Sequence, residues 1–148
     1  MNKLIAIPIV GLVFVVGFMA VIVSQKGRPR PPPYVTLSPF TGHLNIPSID
    51  DLRVGGRKIV LCGAASTKPM ALRGMVTDAA RRDFQGMVLN CKPVGSGTPC
   101  DGKTGTMLGD AVVVQCLMPD GGDLAAVFTQ KGLLCGQPGQ IGAIYKAC

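Results

Sequence analysis

Residues 52–69 read LRVGGRKIVLCGAASTKP. The stretch decides the fold because two short runs, LRV and RKIVLC, flank the pair Gly55-Gly56. Alternating and β-branched apolar residues mark half-buried strands. A Gly-Gly pair supplies the positive backbone angles that a tight hairpin needs. A β-hairpin is therefore expected here, with DDLRV as its first arm and a further strand, FTGHLNI at residues 40–46, before it.

Downstream, Leu72, Val76, Ala80 and Phe84 recur every four residues and lead to Met87. That spacing predicts one apolar face of a helix over residues 69–86, with Arg73, Arg81 and Arg82 mostly on the wet side. The Arg81-Arg82 pair reads as a solvated face in preference to a phosphate site. Two β-rich runs follow, MVLNCK and DAVVVQCL, separated by a long loop at 93–109 that holds Cys100 and five glycines. Loops this long in a small domain are functional or pinned, and Cys100 suggests pinning. Asp123 is a suitable N-cap for the helix DLAAVFTQK, which Gly132 would end. Three strands, a helix, two strands and a helix predict an α+β, mainly β domain: a five-stranded OB-type barrel, whose closure removes exposed sheet edges.

The N-terminus is different. Residues 4–23, LIAIPIVGLVFVVGFMAVIV, form an uncharged run of about 30 Å as helix, enough to cross a bilayer. The run exceeds the apolar core of a secretory signal and no clear small-x-small cleavage site follows, which favours an uncleaved anchor. GRPRPPP, residues 27–33, then reads as a semi-rigid extended spacer. The expected organisation is a short tail (1–3), a transmembrane anchor (4–23), a Pro-rich spacer (24–39) and the barrel domain (40–148).

Charge and cysteine usage pull orientation apart. Lys26, Arg28 and Arg30 follow the apolar run and only Lys3 precedes it, which by the positive-inside rule would keep the domain cytoplasmic. Six cysteines, Cys62, Cys91, Cys100, Cys116, Cys135 and Cys148, without a CxxC pair and with His43 as the one histidine, read instead as a disulfide framework of an exported domain. The exported, periplasmic placement is favoured, with the anchor in the inner membrane. Cys91 and Cys116 end two neighbouring strands and are the first-choice bridge, leaving Cys62 with Cys135 and Cys100 with Cys148 as one of several pairings open to the other four. The chain carries 15 Lys and Arg against eight Asp and no Glu. Its basic residues are dispersed and its aromatics few, so a nucleic-acid partner is weakly supported.

The run SIDDLRVGGRKIVLCGAASTK resembles the signature of the thermonuclease, or staphylococcal nuclease-like, family, whose members commonly read DGDTLRVGGRRIRLxGIDAPE. DAARRDFQGMVLNC, GDAVVVQC and DGGDLAAVFTQKGLL are similar to later segments of that family in the same order. The resemblance implies a staphylococcal nuclease-like barrel and an ancestral phosphodiester hydrolysis using a calcium ion, an activating glutamate and two arginines. Carried across by position, Ser48 stands for one acid of DGDT, while Asp50 is kept and Asp51 follows it. Val60 replaces an arginine, Ala65 an aspartate, Lys68 the glutamate and Asp110 the second arginine. A general base contributes about 10²–10⁴ in rate and a preorganised charge partner about 10²–10³. The expectation is therefore a degenerate member with no catalytic, metal or cofactor residues.

Other constellations are weaker. His43 could pair with Cys62 as a nucleophile dyad only if the fold joined them, and GSGTPCDGKTG at 95–105 lacks the spacing and context of a phosphate-binding loop. The expected function is a membrane-anchored, inactive binding or assembly module of the bacterial envelope, with protein partners in a membrane complex such as one for secretion or DNA transfer. The alternative is a divergent metal-dependent nuclease whose ion is held by Asp50, Asp51, Asp101 and Asp110.

Overall fold

The computed structural model describes residues 35–141 and 144–148. Along these run β1 (Phe40–Ser48), β2 (Asp51–Val54), β3 (Arg57–Leu61), β4 (Ala64–Ala65), α1 (Met70–Phe84), β5 (Val88–Pro93), β6 (Met107–Leu108), β7 (Ala111–Leu117), α2 (Leu124–Gln130), β8 (Cys135–Gly136) and α3 (Pro138–Ile141). Strands β3, β2, β1, β5 and β7 pair in that order, and β7 returns to β3, so five strands close a mixed barrel of OB-like form. The β3–β7 contact is parallel, with Ile59 opposite Val112 and Leu61 opposite Val114. The apolar run at 4–23 lies outside the described residues, as does the GRPRPPP spacer. Among the described residues no helix is long and apolar enough to cross a membrane.

The expected hairpin is present. Leu52 faces Ile59 and Val54 faces Arg57, and the turn uses φ of 59° at Gly55 and 79° at Gly56, values that cost other residues strain. Gly42 of β1 presses on this turn: a Cβ there would come within 2.7 Å of the Gly55 nitrogen. Further along β1, Pro47 has no N–H to offer the ladder, and the register with β2 shifts between Asn45 and Ser48. Inside the barrel, Leu44, Ile46, Val54, Ile59, Leu89 and Val114 are almost fully buried. Phe84 of α1 and Phe128 of α2 meet over the core at 4.9 Å between ring centroids.

Helix α1 forms where expected and turns the expected face inward: Ala80 and Phe84 are buried, and Val76 and Met87 pack on the core. Leu72, 45% exposed, is the exception, and Thr77 is buried as well. Polar bonds to β1 and the turn after it hold this face. The Ile49 N–H donates to Thr77 Oγ1 at 3.0 Å. Arg81, expected on a solvated face, donates from Nε to the Ile46 carbonyl at 2.7 Å and from Nη2 to the Pro47 carbonyl. Gln85 accepts the Ile46 N–H and donates to Asn45 Oδ1. Backbone groups of β1 and the following turn that the bulge leaves without a ladder partner are thus satisfied from the helix and its end.

All six cysteines are bridged. Cys91 is joined to Cys116, its direct neighbour across β5 and β7, with Cα atoms 4.0 Å apart. For the four cysteines whose pairing the sequence left open, the option of Cys62 with Cys135 and Cys100 with Cys148 is not the one taken: Cys62 joins Cys100, and Cys135 joins Cys148. The reason is topological. Cys62 leaves β3 beside β7, its N–H donating to the Val114 carbonyl, which places it under the 93–109 loop, while Cys135 on β8 lies beside the chain at Lys146. At the N-terminal side of β1, Leu37 packs on the core and the Val35 N–H donates to Thr106 Oγ1.

Two outcomes are expected. Replacing Cys91 and Cys116 together by alanine lowers unfolding free energy by about 3 kcal/mol in the chain-entropy account, read as a lower denaturant midpoint. Gly42→Ala forces β1 off the Gly55 backbone and costs roughly 1–3 kcal/mol in the same measurement.

Candidate functional site

Three pieces of chain converge at one end of the barrel: the β1–β2 turn, the end of β3, and β4 with Ser66 after it. Between them opens a cleft of about 220 Å³ lined by Ile49, Asp50, Leu52, Ile59, Val60, Leu61, Ala64, Ala65, Ser66 and Leu134. The chain reaches it because Gly63, at φ 71°, turns sharply after β3, and β4 then pairs with β8 through Ala65 opposite Cys135. An adjoining shallow groove against α1 shares Asp50 and adds Ser48, Arg73, Thr77 and Arg81.

Several of the positions singled out in the sequence come together here. Val60 and Ala65 line the cleft, Asp50 stands between cleft and groove, and Ser48 lies in the groove. Lys68 is adjacent, its carbonyl accepting a bond from Arg73 Nε. Asp110 is elsewhere, in the β6–β7 turn, where Lys58 Nζ donates to it at 3.0 Å. The cleft wall is apolar apart from Asp50 and Ser66, and Asp50 accepts a 2.8 Å bond from Arg73 Nη1. The Ser66 hydroxyl oxygen is buried and has no hydrogen-bond partner. Buried polar atoms are nearly always satisfied, so this hydroxyl stands out among the described residues.

The four aspartates of the rearranged metal site are not brought together. Each has its own partner. Asp51 takes a two-pronged bond from Arg53 at 3.0 and 2.9 Å, and this bond holds its carboxyl below the usual range. Lys58 does the same to Asp110 by donating to it. Burial pushes Asp101 up, but the Thr98 hydroxyl and the Gly95, Gly97 and Thr98 backbone N–H groups outweigh it and hold the carboxyl below its ordinary value. Among the described residues no group of three or more His, Cys, Asp or Glu is placed to hold a metal ion. His43 Nδ1 donates to the Gly86 carbonyl at 2.9 Å, and Cys62 is bridged, so that dyad is not assembled.

Two features escaped the sequence. Ser66 and Leu134 line the cleft; both lie within motif-like segments, but at positions to which the sequence assigns no role. Asp123 does cap α2, Oδ1 accepting the Ala125 N–H, and its other oxygen also accepts from Gln115 Nε2 and the Tyr145 hydroxyl. Burial first, and then that bond to Asp123, push the Tyr145 phenol well up. Three acceptor contacts on one carboxylate could not be foreseen from a cap signal alone.

No family model matches the chain, and neither a curated protein nor a solved structure matches it.

The 93–109 loop yields a pH test. The Asp101 carboxyl titrates lower in the fold than in the unfolded chain, so its contribution is fully present above about pH 4 and is lost as pH falls through the folded value. Asp101→Asn should cost about 1–3 kcal/mol at pH 7 and remove part of the destabilisation that acid causes in the parent. Denaturant midpoints at pH 7 and pH 3, with amide exchange at Gly95 and Gly97, check both.

Proposed function

We propose that this chain is a membrane-anchored, nuclease-like barrel without catalysis, which acts as a binding or assembly module in the bacterial envelope. One observation carries the reading: the positions that the nuclease resemblance assigns to an arginine and an aspartate, Val60 and Ala65, line an apolar cleft, and the acid kept beside them, Asp50, is tied to Arg73. Water activation needs a base near the reacting atom, and the position that the resemblance gives the activating glutamate is Lys68. A mostly apolar pocket suits an inserted apolar group of a partner instead. The disulfides support an oxidising compartment, and residues 4–23 supply the anchor. A barrel can keep its surface for binding after its chemistry is gone.

The reading has a direct test. Full-length protein in mild detergent, incubated with plasmid and single-stranded DNA in calcium, magnesium or manganese, should leave both intact. Cleavage abolished by Asp50→Ala would instead establish the divergent nuclease. In parallel, Ala65→Phe, which fills the cleft from an exposed position, should abolish co-purification of the membrane partner while the unfolding free energy stays within about 1 kcal/mol of the parent. Retention of the partner by Ala65→Phe would remove the cleft from the binding surface.

A further inference from the structure

The three disulfides differ in access. Cys62, Cys91, Cys100 and Cys116 are at most 1% exposed and Cys135 is 2% exposed, whereas Cys148 is an exposed residue. Exchange requires a thiolate to reach one sulfur in line with the bond it breaks. Only the Cys135–Cys148 bridge offers a residue to solvent. The inner sulfur is also prepared to leave. Thr67 Oγ1 lies 2.7 Å from Cys135 Sγ; a disulfide sulfur carries no proton, so the hydroxyl donates, and the same bond would stabilise a Cys135 thiolate.

This bridge fastens a wall of the cleft. Strand β8 is held on one side by β4, Ala64 facing Gly136 and Ala65 facing Cys135, and on the other by the Lys146 carbonyl, which accepts the Gly136 N–H at 2.7 Å. Gly136 sits so close to the Tyr145 and Lys146 carbonyls that a Cβ would lie within 2.9 Å of both. Tyr145 is buried and donates to Asp123 at 2.6 Å. Ala64, Ala65 and Leu134, on and next to these strands, line the cleft.

We infer that the Cys135–Cys148 bridge is a redox-sensitive clasp that a dithiol reductant opens selectively, loosening the β4–β8 wall of the cleft. One thiolate of the dithiol attacks Cys148 Sγ and forms a mixed disulfide, while the Cys135–Cys148 bond breaks and Cys135 leaves as a thiolate that Thr67 receives and solvent protonates. The second thiol of the reductant then displaces Cys148. Two electrons pass from the dithiol to the bridge, leaving two protein thiols and an oxidised dithiol.

The experiment is a titration of the native full-length chain in mild detergent with dithiothreitol, quenched with N-ethylmaleimide and mapped by peptide mass. Cys135 and Cys148 should be labelled at reductant concentrations at least about tenfold below those that expose the other four. Amide exchange at residues 64–66 and 133–137 should rise in that two-thiol form while the barrel strands stay protected. Thr67→Val should slow the reaction several-fold, and Thr67→Ser, which keeps the hydroxyl, should restore it. Labelling of either other pair at the same concentration overturns the selectivity, unchanged exchange at 64–66 overturns the clasp, and an unaltered rate in Thr67→Val overturns the role of Thr67.

Discussion

The parallel pairing of β3 with β7 is the constraint on which the rest of the structure depends. It joins residues on either side of α1 and the 93–109 loop, turning an open meander into a barrel. Parallel pairs are slightly weaker per residue than antiparallel ones, and this one is reinforced at both flanks of β7. On the β3 side, the Cys62 N–H continues the ladder to Val114 and Cys62 is then bridged to Cys100. On the other side, Cys91 is bridged to Cys116 within the β5–β7 pair. A small domain buries a modest fraction of its surface, so covalent ties at the closing strand fall where closure entropy is greatest.

Closure also shapes the cleft. Where β3 departs from the barrel, Gly63 throws the chain into β4, and Val60 and Ala65 come to the same corner as the β1–β2 turn. The polar groups of that corner serve the fold. Arg73 binds Asp50 and the Lys68 carbonyl, Arg81 holds carbonyls of β1, and Thr77 holds the turn. The cleft wall they leave is mostly apolar. A surface of this kind favours complementarity of shape over charge chemistry.

Local signals in the sequence reported local structure faithfully. Gly55-Gly56 specified the hairpin, Asp123 specified the start of α2 and Gly132, at φ 68°, its end, because each acts through its own backbone angles or bonds within three residues. The polar role of α1 was illegible for the opposite reason. Its apolar spacing placed Val76, Ala80 and Phe84 on the inner face, but the bonds from Thr77, Arg81 and Gln85 reach a segment far away in sequence. Strands β4 and β8 are two residues each, too short for any period to show. Ser48, Asp50, Val60 and Ala65, singled out by the resemblance alone, gather at one corner of the barrel, whereas Leu134 arrives there only through the β4–β8 contact.

The order of the bridges along the chain bears on how the molecule is made. Cys62–Cys100 and Cys91–Cys116 interlace, so an oxidant that joined sulfurs in order of synthesis would tie Cys62 to Cys91 and trap a ring the barrel cannot accommodate. Either the strands assemble while the thiols are still reduced, or a shuffling enzyme must undo the first knots. Biogenesis of this domain is thus a race between pairing of strands and sealing of sulfur.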